Sequence, residues 1–191
     1  MQRGLSKKLK VGVPRLNPDL SVSVATEDGQ IVHTIPSLAL TCGGIGYLYE
    51  RLVGLHYEQR GYVVEYRSHL GYLDAGVDLI ARNDSQCRFV QCKFTLKSMS
   101  RAKVEKLLFS ASAFVKNNLG PHENHFDLVV LSEAIAFPIR QSKKKGSPAM
   151  NPARNAFFSY NATQHQVRLN IVEVPMGIPE SLVFDANEPV A

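Results

Sequence analysis

The fold of this chain is decided by two short segments, GVDLIA at residues 76–81 and FVQCKF at residues 89–94. Both are apolar enough to be strands. The turn between them, at residues 82–86, is rich in Asn, Asp and Ser, and it predicts that the two strands form a β-hairpin. With an even-length loop centred in that turn, Asp78 falls directly opposite Gln91.

Side chains alternate along a strand, so this register assigns the hairpin a polar face and an apolar face. It pairs Ile80 with Phe89, and it brings Asp78, Gln91 and Lys93 together on the polar face. The opposite face carries five side chains that can pack on a helix: Val77, Leu79, Val90, Cys92 and Phe94.

The polar face has two interpretations. It is the solvated side of an ordinary amphipathic hairpin, or it is a metal site, because a carboxylate and an amide carbonyl are hard oxygen ligands of the kind that Mg²⁺ takes. In the second interpretation Lys93, one pleat further along, holds or deprotonates a water. The pattern of residues by itself leaves both interpretations open.

The chain resembles the PD-(D/E)xK nuclease superfamily, and within it the Mrr-like restriction endonucleases, whose motif contains glutamine. The resemblance covers residues 46–132. One of its three blocks is Asp78, followed after twelve intervening residues by Gln91, Cys92 and Lys93, and the three blocks in the right order are far more specific than any one of them.

Two upstream blocks support the same resemblance. The segment DAGVDLI at residues 74–80 is similar to the family's Asp-Gly-Gly-Ile/Val-Asp-Leu-Ile block, with Ala75 in place of a glycine. The segment GYLYERLV at residues 46–53 is similar to the first helix of the family, which carries an aromatic–Glu pair. Here that pair is Tyr49 and Glu50, where Tyr49 replaces the more frequent phenylalanine.

The resemblance implies an α/β fold with a restriction-endonuclease-like core, in which helices flank a central mixed sheet. Asp-Gly at residues 28–29, between two alternating runs, predicts an added N-terminal β-hairpin over residues 21–35. We divide the chain into three parts: a basic arm and hairpin extension at 1–40, a nuclease core at 41–135, and a basic loop with C-terminal strands that complete the same domain at 136–191.

Helical periodicity predicts helices over residues 45–60 and 101–117, with Ser100 as the N-cap of the second. Between them, residues 62–66 predict the first core strand. A nearly continuous apolar run over residues 126–132 predicts a buried strand with both faces covered.

The region around the last predicted strands contains fewer signals. His122 and His125 are expected in the loop before the buried strand, as plain loop residues rather than metal ligands. Alternation over residues 167–171 predicts a further strand, paired with residues 157–160.

The resemblance also implies a Mg²⁺-dependent endonuclease of restriction or defence type that hydrolyses DNA phosphodiester bonds, with Mn²⁺ as a substitute ion. Asp78, Gln91 and the backbone carbonyl of Cys92 would be metal ligands. Glu50 would bind the ion directly or through water. Lys93 would position the attacking water or stabilise charge on the phosphate, so the implied catalytic residues are Glu50, Asp78, Gln91 and Lys93.

The composition is compatible with a DNA partner without requiring one. The net charge is +5 at pH 7 and the isoelectric point is near 9.2. Basic residues gather in an N-terminal arm at 1–20 and in a loop at 140–146, and each of these segments is either solvated or in contact with phosphates. The residues that we expect at DNA are Arg140, Lys143, Lys144, Lys145, Lys7 and Lys8.

The same core also suits a structure-specific nuclease, such as one that resolves DNA junctions, or a weakly catalytic DNA-binding subunit of a mobile-element or defence complex. Because one such site cuts one strand at a time, we expect a homodimer or a partner subunit. No apolar run approaches the ~20 residues that cross a bilayer, and the three cysteines lack the pairing of a metal site or disulfide framework. We therefore expect a cytoplasmic protein without a membrane partner.

Overall fold

The described chain has an α/β fold with two sheets, one of three antiparallel strands and one of five strands in mixed orientation. The predicted class and the central mixed sheet are confirmed. None of the described helices is long and apolar enough to cross a membrane. The computed structural model describes residues 12–19, 21–26, 28–37, 42–67, 75–139, 151–160 and 167–176.

The small sheet contains the predicted hairpin. Strand β2 (Val22–Ala25) pairs antiparallel with β3 (Ile31–Ile35). The turn between them includes Gly29, whose φ of +87° lies in the left-handed region that glycine favours. The Asp-Gly signal therefore located a real hairpin.

A third strand, β1 (Val13–Leu16), pairs antiparallel with β2 inside the segment that the sequence indicated to be a basic, partly ordered arm. The sequence did not predict this strand. Pro14 had suggested an interruption, but β1 is an edge strand, where a residue without an N–H removes no ladder hydrogen bond. Leu16 is buried, and its N–H donates to the carbonyl of Met176 (2.9 Å), so the small sheet joins the core of the chain.

Helix α1 (Cys42–Glu58) corresponds to the first predicted helix. Just beyond its last residue, Glu58, the chain reverses at Gly61, which has a φ of +82° and donates its N–H to the Glu58 carbonyl (3.0 Å), as a glycine does after a helix C-terminus. The side of α1 that faces the sheet is apolar and buried, and its largest members are Leu48, Tyr49, Leu52, Val53 and Tyr57.

The large sheet has the strand order β4-β5-β6-β7-β8. The first three strands are antiparallel neighbours, and β7 and β8 then join in parallel. The predicted order of helix, three strands, helix and strand is therefore present. The strands are β4 (Val63–Tyr66), β5 (Leu79–Arg82), β6 (Gln86–Lys93), β7 (Glu123–Val130) and β8 (Val167–Glu173).

Three further helices follow β6: α2 (Arg101–Asn117), α3 (Glu133–Ala136) and α4 (Pro152–Ser159). Ser100 is the N-cap of α2, as predicted, and its hydroxyl accepts the N–H of Lys103 (3.2 Å). Helix α1 packs on one face of the large sheet, while α2 and α4 pack on the other. The sheet is thus a central layer with helices on both sides.

Two sequence predictions about the C-terminal half are wrong. Residues 157–160 belong to α4 and its C-terminal cap rather than to a strand, and β8 pairs with β7 instead. The missed signal is Asn151 followed by Pro152: the Asn151 side chain caps the helix by accepting two backbone N–H groups, and proline is favoured at the first helical position. His125 is also not a loop residue, because β7 begins at Glu123 and His125 is buried within that strand.

Candidate functional site

The β5–β6 hairpin has the predicted register. Ile80 lies opposite Phe89, and the four-residue turn is held by the Asn83 side chain. Its carboxamide oxygen accepts the backbone N–H groups of Ser85 (3.0 Å) and Gln86 (2.8 Å). An Asx residue that satisfies its own turn explains why this short loop fixes the register of the strands.

Asp78 sits where the ladder of β5 and β6 ends. Regular pairing begins at Leu79, and the Asp78 N–H donates to the carbonyl of Val90 (2.9 Å). Beyond this point the Asp78 side chain replaces the backbone as the hydrogen-bond partner of β6, because its Oδ2 accepts the backbone N–H of Cys92 (2.7 Å). The carboxylate therefore ends the hairpin ladder and is held in place by the opposite strand.

Gln91 lies beside this carboxylate. Its side-chain NH₂ donates to Asp78 Oδ2 and also lies 3.4 Å from the carbonyl oxygen of Cys92. Asp78 and Gln91 are both buried, at 7% and 4% exposure. The NH₂ group of Gln91 therefore lies between two oxygens, Asp78 Oδ2 and the Cys92 carbonyl oxygen. A cation in the same position would also be stabilised by these two oxygens.

The charges of Glu50 and Lys93 affect the pKa of the Cys92 thiol. Burial raises the pKa of Cys92 well above its ordinary value, and the negative charges of Asp78 and Glu50 raise it further, while Lys93 lowers it. Hydrogen bonds thus connect Asp78, Gln91 and Cys92, and the electrostatic field at one sulfur connects Glu50 and Lys93 to them. Asp78, Gln91, Cys92 and Lys93 therefore lie together at the end of β6, and the charge of Glu50, on α1, reaches the Cys92 sulfur.

The backbone that enters the site contains a left-handed turn. Ala75 has a φ of +55° and Gly76 a φ of +75°. A side chain at Gly76 would begin 3.2 Å from the Cβ of Ser110 in α2, so this crowding and the positive φ both favour glycine there. At Ala75, where the resembling family has glycine, the left-handed conformation costs a residue with a Cβ roughly 1–2 kcal/mol.

The same turn corrects one detail of the predicted apolar face. Leu79, Val90, Cys92 and Phe94 do pack on the α1 side of the sheet, as expected. Val77 instead packs on the α2 side. The strand starts only at Leu79, so the strict alternation of side chains does not extend back through the turn.

Arg67 is a site neighbour that the sequence did not reveal. Its N–H donates to the carbonyl of Asp78 (2.8 Å), which places it next to Asp78 on the strand side away from Gln91. The guanidinium lies over the Phe114 ring of α2, 4.1 Å from the ring centroid. One Arg67 nitrogen also lies 3.4 Å from the Glu65 carboxylate. Only the pairing of β4 with β5 could have located this arginine, since the sequence placed it in a linker.

The donor atoms of the site suit a hard cation. Among the residues that the structure describes, no three His, Cys, Asp or Glu side chains form a group that could hold a metal ion. The groups around Asp78 include a backbone carbonyl and an amide, whose oxygens zinc sites rarely use and Mg²⁺ accepts together with waters. Rotating the Gln91 amide by half a turn about its last torsion would present its oxygen in place of its NH₂ group. The residues present therefore fit a Mg²⁺-type ion.

The residues expected at DNA cannot be compared with this geometry. Arg140, Lys143, Lys144 and Lys145 lie outside the described residues, and so do Lys7 and Lys8.

Comparison of the chain with models of known protein families, with curated proteins and with solved structures finds no match.

Proposed function

We propose that the chain is a Mg²⁺-dependent endonuclease that hydrolyses DNA phosphodiester bonds, built on the restriction-endonuclease-like core of the PD-(D/E)xK nucleases. The observation that carries this proposal is the convergence of Asp78 Oδ2 and the Cys92 carbonyl on one point, occupied by the Gln91 amide. Those are the oxygens that the motif resemblance assigns to metal binding, and they come from residues fourteen positions apart in sequence.

The order of elements is a second, weaker support. A helix with a Glu, three antiparallel strands, a helix and a parallel strand is the order that the resemblance implies, and the chain has it. The same order occurs in folds that have other activities, so it cannot carry the proposal without the side chains.

Asp78, Gln91 through its amide oxygen, the Cys92 carbonyl and Glu50 would hold the ion. When bound, a divalent ion lowers the pKa of a nearby water and neutralises charge on the phosphate. Burial of Asp78 and Gln91 strengthens their interaction with an ion, since electrostatic attraction grows as water is excluded. The amide in place of a second carboxylate leaves the site less negative, and weaker ion affinity follows.

Lys93 would act on the substrate rather than on the ion, because an ammonium group cannot ligate a cation. It is half-buried at the end of β6, one pleat beyond Gln91. There it would hold the attacking water or the phosphate. The water oxygen forms a bond to phosphorus as one P–O ester bond breaks, and a water proton ends on the departing oxygen. The products are a phosphomonoester and a free hydroxyl.

Divalent-ion binding tests the first half of this proposal. Titration calorimetry with Mn²⁺ should detect an ion in the wild type and none in Asp78→Asn, which keeps an acceptor for the Cys92 N–H while it removes the charge. An Asp78→Asn variant that binds Mn²⁺ with unchanged affinity would leave Asp78 as a purely structural end to the ladder.

Cleavage tests the second half. Lys93→Ala should bind Mn²⁺ yet cut DNA about 10²–10⁴-fold more slowly, the typical value of one positioned group. Arg82→Ala, a cation at the other end of the hairpin, is the matched control and should cut at the wild-type rate. Equal nicking by wild type and Lys93→Ala would favour the alternative that the chain is a DNA-binding subunit with weak or no catalysis.

A further inference from the structure

Among the residues that the structure describes, a strongly basic segment leads from the end of β6 through α2. Residues 93–117 contain six Lys or Arg and one Glu, so their formal net charge of +5 equals that of all 191 residues. The single acid, Glu105, is paired with Arg101 (2.7 Å). The remaining cations in α2 are Lys103, Lys106 and Lys116, and each of them is exposed.

The exposed side of α2 also carries an aromatic ring. Phe109 is 78% exposed, although the apolar residues on the opposite side of the helix, Val104, Leu107, Leu108, Ala111 and Val115, are buried. A single exposed apolar residue is common on protein surfaces. Here, however, helical periodicity puts the ring on the same side as the lysines. We call Lys103, Lys106, Phe109, Ser110 and Lys116 the outer face of α2.

This outer face begins at the edge of the candidate site. Ser110, next to Phe109, approaches Gly76 so closely that a Cβ on that glycine would lie 3.2 Å from the Ser110 Cβ. The same Cβ position is 3.5 Å from the Gln91 amide oxygen. Gly76 therefore touches both the outer face of α2 and the residue proposed to hold the ion, and a strand lying on α2 would lead directly to the site.

We propose that the outer face of α2 binds a single strand of the nucleic-acid substrate, with Lys103 and Lys106 at phosphates and Phe109 stacked on an unpaired base. Lysines that follow a backbone and an exposed aromatic ring are the two parts of a sequence-tolerant single-strand site. Stacking requires the flat face of a base, which a continuous duplex does not offer. This inference rests on the proposed nuclease function and narrows its substrate to DNA that is unpaired next to the cut.

Binding without divalent ions isolates this surface from catalysis. Fluorescence anisotropy in EDTA would compare a labelled 20-nucleotide oligo-dT with a blunt duplex of the same length. Phe109→Ala should lower the affinity for oligo-dT roughly 5- to 150-fold, the range found for one stacked base, and should change duplex affinity less than about twofold. Phe109→Tyr should restore binding. Phe158→Ala, an exposed aromatic on α4, should bind like the wild type.

The lysines have a separate readout. In the variant with Lys103→Ala and Lys106→Ala, the slope of log affinity against log salt for oligo-dT should fall by ~1.4, about 0.7 per lost phosphate contact on a single strand. A double variant with the wild-type slope would contradict the assignment of these lysines to phosphates.

Two results would overturn the inference. One is oligo-dT affinity that is unchanged in Phe109→Ala, or that falls equally for single strand and duplex. The other is light scattering that shows a wild-type dimer converted to a monomer by Phe109→Ala, with oligo-dT affinity intact, which would make this face a contact between two copies of the chain. If Phe109→Ala loses oligo-dT binding but the wild type never cuts DNA, the single-strand site on α2 is supported and the nuclease function is rejected. If Phe109→Ala still cuts DNA and binds oligo-dT normally, the nuclease function is supported and the single-strand site on α2 is rejected.

Discussion

Two buried aspartates in the large sheet, Asp78 and Asp127, are held in different ways. Asp127, in the middle of β7, is fully buried, and its Oδ2 accepts the Tyr57 hydroxyl (2.6 Å) and the Arg88 guanidinium (3.0 Å). Its Oδ1 accepts the amide of Asn170 (2.7 Å). The partners of the Asp78 carboxylate include the neutral N–H groups of Gln91 and Cys92.

The surroundings of Asp127 indicate a structural role. Arg88 also bonds to Tyr62 and Gln86, so the ion pair is part of a wider network on the α1 side of the sheet. In such a network both charges are neutralised and their remaining hydrogen-bonding groups are satisfied, which is what a buried ion pair needs. The network continues to the edge of the sheet through Glu123, His125 and Arg168.

Burial of an acid therefore does not by itself mark a functional site. Asp127 has a cation at 3.0 Å and both of its oxygens in use, whereas at the end of β6 Asp78 Oδ2 and the Cys92 carbonyl oxygen share the Gln91 NH₂ group. Structural networks and functional sites both perturb buried acids. The arrangement of the groups around each acid distinguishes a structural network from a functional site. Three measurements test this distinction.

The same substitution at the two aspartates should change stability by very different amounts. Asp127→Asn leaves the Arg88 charge without its counter-ion and should lower the free energy of unfolding by about 3–5 kcal/mol. Asp78→Asn retains an acceptor for the Cys92 N–H and should change it by less than ~1 kcal/mol. Urea denaturation followed by circular dichroism measures both. Similar losses in the two variants would remove the basis for treating the clusters differently.

Removing the Tyr57 hydroxyl should disturb the Asp127 network less than the substitution of Asp127 itself. Tyr57→Phe removes one hydrogen bond to a buried carboxylate and should lower the free energy of unfolding by about 1.5–3 kcal/mol. Tyr66→Phe is the matched control, because its hydroxyl donates to Glu58, which is exposed to solvent. That variant should lose less than ~1 kcal/mol. If the control loses as much as Tyr57→Phe, the network contributes no more than a surface hydrogen bond.

The pH dependence of stability tests the raised pKa of the Cys92 thiol. Burial first, and then Asp78 and Glu50, raise its pKa above the ordinary value near 9. The folded state therefore keeps a proton that the unfolded state releases, so this contribution is fully present below pH 9 and is lost as the pH rises beyond it. For one proton the loss is at most about 1.4 kcal/mol per pH unit.

Urea denaturation between pH 8 and 10 measures that slope. Cys92→Ala should flatten it. Cys87→Ala should flatten it less, because burial also raises the pKa of Cys87 but Arg82 opposes the rise. A slope that depends only on Cys87 would show that the pKa of Cys92 is not raised in the folded protein.

Local sequence signals predicted the elements that surround the site. The period of apolar residues located α1 and α2, Ser100 located the start of α2, and the Asn/Asp/Ser turn set the register of β5 and β6. Each signal depends on residues close together in the chain, where backbone sterics and nearby hydrogen bonds dominate. Reliance on local signals also explains why residues 157–160, in α4, were predicted to be a strand. The Asn151-Pro152 start of the helix was present in the sequence, but the aromatic residues inside the helix also suit a strand.

The sequence alone is enough to bring the candidate site residues together at the end of β6. Asp78, Gln91 and Lys93 follow from a hairpin whose register depends on a four-residue turn between Arg82 and Cys87. Which distant groups meet them depends on the tertiary structure. Arg67 comes to Asp78 through the pairing of β4 with β5, and Asp127 meets Arg88 and Tyr57 through the layering of β6, β7 and α1. Those contacts join residues up to 70 positions apart, and such contacts form because packing two apolar layers fixes the side chains between them, which local pattern does not encode.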